Sequence, residues 1–496
     1  MHRNSTDSSQ YTFLPIGAAR TRPIWVALTL AICILCSLIP FKANGQYDEY
    51  RYSHLFSAAA CLEDWNMYRK KLEEQHPNLY LYTSQPEMKQ FFDSISASIT
   101  VPMNSINFFN LITTVLSKIK DGHTHIFPDP STTEDNDLHA PFFPVKVHWE
   151  EGRMYVVKVY ASDTQLAPGT EIQIINGVNA SFLYNVMMRR QIRDGYNTTY
   201  PRWILEEYFA EYYSYHQGNP DSFVLQTRKA DNTFETYTIK ALPKDSIAYY
   251  KKTKYGELLG DALFNTGITV AMDTSKHTAL LTIKDFHNDI LRTTYHQKFK
   301  DAIEDCFSQI QNNHIEHLIL DLRNNQGGDI ENGVTLLSYL LDAPFKVVES
   351  YSEVDIRTYQ IPMARLKPVS GPAMGMHEPH PIHYTGKLYV LTNGGSFSNS
   401  AIVCSALQRY NRCVFIGEET GGNPGVFAAG GKYINLPNTN TKVLVPNLQY
   451  ELRSKSQYSA TGLQPDYPIV PTLEDILAGR DPVLLYAYHL IKENRT

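Results

Sequence analysis

Three separated segments carry residue types that could do chemistry. The first is Asp121-Gly122-His123-Thr124-His125. A neutral imidazole accepts a proton near pH 7, so this stretch offers a general base. Two histidines at i and i+2 also project from one side of a strand, where they could contribute to a metal site. The second is Asp321-Leu322-Arg323-Asn324-Asn325-Gln326-Gly327-Gly328-Asp329, a buried strand running into a turn with two glycines. Without a Cβ in the way, such a turn can aim backbone N–H groups at an anion or a developing negative oxygen. The third is Leu391-Thr392-Asn393-Gly394-Gly395-Ser396-Phe397-Ser398-Asn399-Ser400, in which glycines and serines lead into a helical pattern. A serine there can be a plain helix cap, and it is also where a nucleophile gains from the helix dipole and nearby N–H groups. A base, facing donors and a nucleophile are the set that acyl transfer needs.

Strands and helices alternate from about residue 277. Residues 279–283, 317–322, 387–391 and 413–416 read as strands, and 299–310, 333–341 and 400–410 as helices. This alternation predicts βαβ crossovers and a mainly parallel sheet, whose sites form at the carboxyl ends of strands. The second and third segments sit at such ends. Upstream, residues 63–120 read as helices. Trp65, Tyr68 and Leu72 recur at helical spacing, as do Phe108, Leu111, Ile112 and Val115. His76-Pro77 breaks the first helix and Asp121-Gly122 ends the last, ahead of a polar loop over 128–139. Residues 142–242 read as short strands, including Val145-Lys146-Val147, Met154-Tyr155-Val156-Val157, and the Pro-Gly turn, strand and Asn-Gly turn of 166–177. Residues 360–383, rich in Pro, Met, Gly and His, read as a loop over the cleft.

A chain of 496 residues suggests about three domains. With 43% hydrophobic and 19% charged residues it can bury a core, which excludes a largely disordered chain. Its net charge of -6 and scattered Lys and Arg exclude the basic stripe of a nucleic-acid binder. The 33 tyrosines and 22 phenylalanines favour a sheet-rich structure or an aromatic-lined cleft. Residues 24–40 are uncharged, follow Arg20 and Arg22, and precede Ala43-Asn44-Gly45. This reads as a secretory signal cut before Gln46, with an uncleaved membrane anchor through 24–40 as the alternative. Ile32 and Leu35, ahead of Cys33 and Cys36, argue against lipidation. The chain is therefore expected to be exported: periplasmic, cell-envelope or secreted. Of the remaining cysteines, Cys61, Cys306, Cys404 and Cys413, the spacing is neither a zinc site nor a disulfide framework. Cys404 reads as a buried thiol, with a Cys404–Cys413 bridge the alternative in an oxidising compartment.

Taken together, the segments resemble the C-terminal-processing and tricorn-type serine peptidase family. Residues 119–124 resemble its "DGHT" turn, 166–177 its PDZ-like insert, 320–328 its "LDLRNNxGG" strand and turn, and 392–406 its "NGGSxSxSE" segment. Gly417-Glu418-Glu419-Thr420-Gly421-Gly422 resembles its "GExTxG", and Gly462-Leu463-Gln464-Pro465-Asp466 its closing "GVxPD". The resemblance implies an α/β, crotonase-like (ClpP/crotonase) peptidase core with an N-terminal helical domain and an inserted PDZ-like β domain. The corresponding boundaries are 1–45 for the signal, 46–130 helical, 140–242 PDZ-like, 265–475 peptidase core and 476–496 a C-terminal helix.

The resemblance further implies that Ser398 is the nucleophile, with an oxyanion hole from Gly328 (or Gly327) and Asn399. The processing branch activates its serine with a lysine in "GKG". That place is Asn423 here, and no lysine lies between Lys387 and Lys432. The tricorn-type branch uses a histidine, which corresponds to His123. Glu418, Glu419 and Glu451 are candidates for the acid that orients it, and the glutamate that follows the serine run in the family is Ala401. The expectation is an exported serine endopeptidase acting on peptides or proteins, without a cofactor and without nucleic acid. The alternatives are a weak or inactive peptidase-fold protein that binds peptides, and a metal-dependent hydrolase using His123 and His125.

Overall fold

Strands buried on both faces of a parallel sheet read as continuous apolar runs, and the core sheet is made of such runs. The computed structural model describes residues 54–129, 140–162, 165–257, 266–362, 365–453 and 459–493. The expected signal segment with Cys33 and Cys36, and most of the 128–139 loop, lie outside the described residues. Six strands form the core sheet: β1 Ile268–Asp273, β2 Thr278–Ile283, β3 His317–Asp321, β4 Lys387–Thr392, β5 Val414–Gly417 and β6 Tyr467–Pro468. They lie side by side in chain order. β1 and β2 are an antiparallel hairpin, and β2 through β6 are parallel. Asp321 pairs with Thr282 on one side and Leu391 on the other, so β2, β3 and β4 end level. The two glycine turns therefore leave from adjacent strand ends.

Alternation along these strands feeds two cores. Leu318, Leu320, Leu388 and Val390 pack with Ile303, Phe307, Leu336 and Leu407 of the crossover helices Phe299–Asn312, Ile330–Leu340 and Asn399–Arg409. The intervening Ile319, Tyr389 and Leu391 pack on the other face against Val483, Ala487 and Leu490 of helix Pro482–Glu493. The C-terminal helix thus completes the sheet's second face.

Helix Ala58–Gln75 starts at Ser57, whose side chain accepts from Ala60 N, and stops where His76-Pro77 breaks it. With Gln85–Ser98 and Ser105–Ile112 it buries Trp65, Tyr68, Phe92 and Phe108 in a third core, which also takes in Tyr200, Trp203 and Phe397. The described residues cluster as one compact unit.

Several expectations require correction. Residues 142–242 do hold an antiparallel sheet, Val145–Glu150, Arg153–Val159, Glu171–Ile175, Ser222–Arg228 and Phe234–Lys240. They also hold helices Ala180–Arg189, Thr199–Glu207 and Phe209–Gln217. Aromatic and β-branched content raises strand propensity there, yet Tyr200, Trp203 and Ile204 are buried at helical spacing, and packing decides. Residues 360–383 are not one loop. Leu366–Val369 is a strand paired with Ser350–Val354, in a four-stranded antiparallel sheet with Leu448–Glu451 and Val426–Ala429. Cys404 is the buried free thiol expected of it, and Cys413 is also free, so the alternative bridge is not formed. Among the described residues no helix is long and apolar enough to cross a membrane.

Candidate active site

β4 delivers the serine run. Ser398 caps helix Asn399–Arg409 with φ 50° and ψ -119°. This region costs a non-glycine residue about 1–3 kcal/mol and makes a sharp elbow between strand and helix. Its neighbours are locked. Ser396 Oγ donates to Leu322 O and Ser400 Oγ to Asn325 O, each at 2.8 Å, and both serines are fully buried. Phe397 N donates to Asn325 O at 3.1 Å. Ser398 alone of the three is half-buried, with its hydroxyl free of the backbone.

The same bonds press the glycine turn of β3 onto the elbow. Gly327 has φ 99° and Gly328 φ 137°. A Cβ at Gly327 would lie 2.6 Å from Asn399 N and 2.7 Å from Ser398 Cβ, and one at Gly328 would lie 2.3 Å from His287 N. Only glycine fits either place. Gly327 N donates to Asn325 Oδ1 at 2.9 Å, so it is not the free oxyanion donor that the sequence left open as an alternative to Gly328. The N–H groups of Gly328 and Asn399 donate to nothing among the described residues. They are the pair available to a developing negative oxygen.

The base arrives from 275 residues away: His123 Nε2 lies 3.1 Å from Ser398 Oγ. Its turn follows helix Leu116–Ile119, which ends at Lys120 in the left-handed region. Asp121 Oδ1 accepts from His123 N at 2.9 Å and Thr124 Oγ1 at 3.0 Å, and its Oδ2 from Ala428 N at 3.3 Å. Asp194 Oδ1 accepts from Gly122 N at 2.8 Å and its Oδ2 from Asn423 N at 3.0 Å. Burial, then the Asp194 charge, push Asp121 up to about 8, and burial pushes Asp194 up to about 6. Burial, then His125, hold the His123 imidazole far below its ordinary range, at about 3, so it is neutral and able to accept a proton.

None of the candidate acids reaches the histidine. Glu418 pairs with Arg202, Glu419 accepts from Asn197 Nδ2 and Gly462 N, and Glu451 accepts from Ser350 Oγ. Each is taken up holding the chain around the site together. His123 Nδ1 is sealed from solvent with no partner among the described residues. Asn423, at the other branch's lysine position, is fully buried and spends its side chain on Tyr82, Ser459, Gly425 and Val426. His125 begins strand His125–Phe127 and stacks on Phe127, and it is His123, not His125, that meets Ser398. Among the described residues no three of His, Cys, Asp and Glu gather to hold a metal.

Residues 277–469, the segment that forms β2 to β6, match peptidase family S41. The core of this chain is a peptidase family S41 domain. Two chloroplastic relatives from Arabidopsis thaliana, carboxyl-terminal-processing peptidases 2 and 3, are 25% identical over 197 residues and 26% identical over 187 residues. Each match covers 38% of this chain, and 34% and 32% of the two relatives, so the chain spans about a third of the curated proteins it matches. The structure of mature CPAF is similar with a TM-score of 0.63 at 14% identity, covering 88% of this chain and 97% of that one. At that identity the likeness is one of fold, and at 88% of this chain it extends beyond the S41 match.

Outside the S41 match, sequence reasoning missed Asp194 and Tyr200, which reach the site from the helical part of the insert. Within it, Phe397 was read only as part of the serine run, and Phe427 was not singled out. The abundance of aromatic residues hinted at such a cleft without saying which rings line it.

Proposed function

We propose that this chain is a serine peptidase in which His123 takes the Ser398 proton as Ser398 attacks a peptide carbonyl. The carbonyl oxygen turns toward Gly328 N–H and Asn399 N–H, an acyl-enzyme forms, and water releases it. The observation that carries this reading is the 3.1 Å approach of a neutral, buried imidazole to a serine held on a strained elbow, beside two unused N–H groups. The substrates are peptides or proteins, and the β-rich insert would help to hold them in extended form. Its edge strand Val145–Glu150 is partly closed, because Glu206 accepts from Trp149 N. The proposal includes export through residues 24–40. N-terminal sequencing of secreted material should begin at Gln46, and a retained leader would count against cleavage.

The test is labelling of the full chain with a fluorophosphonate probe, together with hydrolysis of a quenched fluorescent casein. Ser398 is expected to take the label, and Ser398→Ala to lose hydrolysis by a factor on the order of a million while remaining folded. Activity kept in that variant ends the proposal. The sealed, unpartnered Nδ1 favours a second reading, a catalytically weak protein that binds peptides. Stoichiometric labelling with brisk turnover would reject it.

A further inference from the structure

In a Ser-His-Asp site, the acid on the far ring nitrogen holds the imidazole in place and steadies the imidazolium that forms when the serine proton arrives. Here that nitrogen, His123 Nδ1, has no partner among the described residues. What the ring has instead is two aromatic faces. Phe397 stacks on the ring at 4.8 Å between centroids and 29° between planes, and Phe427 at 5.4 Å and 27°. The stack continues in both directions. Beyond Phe397 lies Tyr200 at 4.1 Å and 9°, then Trp203 at 6.1 Å and 12°. Beyond Phe427 lies Tyr450 at 5.0 Å and 16°. The imidazole is the fourth ring in a column of six.

We propose that this column, from Trp203 to Tyr450, orients His123 and stabilises its protonated form in place of a carboxylate, with Tyr200, Phe397 and Phe427 as positioning residues. The inference rests on the peptidase reading above. Two flanking rings restrict rotation of the imidazole about its side-chain bonds, leaving Nε2 aimed at Ser398 Oγ. A cation within about 6 Å of an aromatic centroid is attracted to the ring face, so both neighbours favour the imidazolium over other buried apolar surroundings. The column is anchored at both ends. Trp203 Nε1 donates to Asn324 Oδ1 at 2.7 Å, and Tyr450 lies on a strand paired with both its neighbours. Because Tyr200 and Trp203 come from the insert, while Phe397, Phe427 and Tyr450 lie within the S41 match, the column forms only when the insert is packed against the S41 core.

The titratable groups facing the ring are Asp121 and His125 on its own segment, Asp194 behind Gly122, Tyr200 and Tyr450 along the column, and Ser398 ahead of it. None bonds Nδ1. Burial holds the imidazole far below its ordinary range, and the two ring faces work against that by favouring the cation, so loss of a ring lowers the pKa further and carries the acidic limit of activity to lower pH.

The test compares steady-state hydrolysis by the full wild-type chain with Phe427→Leu, Tyr200→Leu and Tyr200→Phe. Both leucine variants should lose roughly ten- to a hundredfold in kcat with KM little changed, as expected when a catalytic group is misplaced. The acidic limb of kcat/KM should move to lower pH in Phe427→Leu. Tyr200→Phe, which keeps the ring, should recover most of the loss seen in Tyr200→Leu. A purely structural role would lower thermal stability and leave kcat per labelled Ser398 and the acidic limb in place, which overturns the proposal. Should Phe427→Leu fail to fold, the two Tyr200 variants decide, and failure of phenylalanine to recover the loss also overturns it. Activity in Ser398→Ala would instead bring down the peptidase reading itself. Ser398-dependent activity indifferent to both leucine variants would bring down only the column.

Discussion

Ser398 is held within one stretch of the S41 core. Leu322 O, Asn325 O and the Gly327-Gly328 turn grip its elbow directly, and all of them lie on β3, β4 and the turns that leave them. His123 is held by contributions from its own turn, from the insert and from the S41 core together. Its backbone hangs on Asp121 and Asp194, its turn is tied to Ala428 and Asn423, and its ring lies between Phe397 and Phe427. The serine side is therefore short-range and steric, and the histidine side is long-range and depends on assembly. A site built this way has its nucleophile fixed mainly by contacts within the core, and its base by contacts that also reach the helical region and the insert.

Three changes probe that contrast, beginning with the largest effect. Gly327→Ala attacks the steric side. Its Cβ would strike Asn399 N and Ser398 Cβ from a backbone at φ 99°. Disturbing the Asn399 donor should lower kcat on the order of a hundred- to a thousandfold, read in casein hydrolysis normalised to folded protein. A near-normal kcat would show that the elbow tolerates what the geometry forbids.

Glu418→Gln probes the docking of the insert. It leaves the partly buried Arg202 without its charge partner, so it should lower stability by roughly 2–3 kcal/mol in denaturant unfolding. Because Glu418 does not touch His123, kcat per labelled Ser398 should stay within about threefold, whereas loss of a true orienting acid costs about ten-thousandfold. A loss of that larger size would restore Glu418 as the acid.

Asp194→Asn tests the buried carboxyl pair. Both carboxyls have pKa values raised above their unfolded value, so the stability they contribute is complete at low pH and fades as pH rises through their folded values, about 6 and 8. Removing Asp194 should therefore flatten the fall in melting temperature between pH 4 and pH 8. An unchanged slope would mean that the two carboxyls do not share their burden.

Much of the serine side was legible in the sequence. Glycines at 327 and 328 marked a turn able to aim N–H groups at a ligand, and β3 and β4 were apolar enough to be read as strands of one parallel sheet; that they are neighbours came from the structure. Which of Ser396, Ser398 and Ser400 was free came from family resemblance. The structure adds the physical reason: the outer two are bonded to backbone carbonyls of the adjacent strand's turn. The histidine side was half legible. The Asp121 to His125 stretch marked a base, but the acid expected among Glu418, Glu419 and Glu451 does not reach it, and Gly327 is spent on Asn325.

From its sequence alone this chain determined an α/β core, an S41-like order of motifs and the identities of Ser398 and His123 as the residues to watch. These are written in local periodicity, glycine placement and short-range turns, which depend on few neighbours. The partners of the imidazole were decided only in three dimensions. Asp194 and Tyr200 carry no local mark of a site. Their roles arise because burial in a shared core brings rings and carboxylates from distant segments into contact, and no spacing along the chain encodes that meeting.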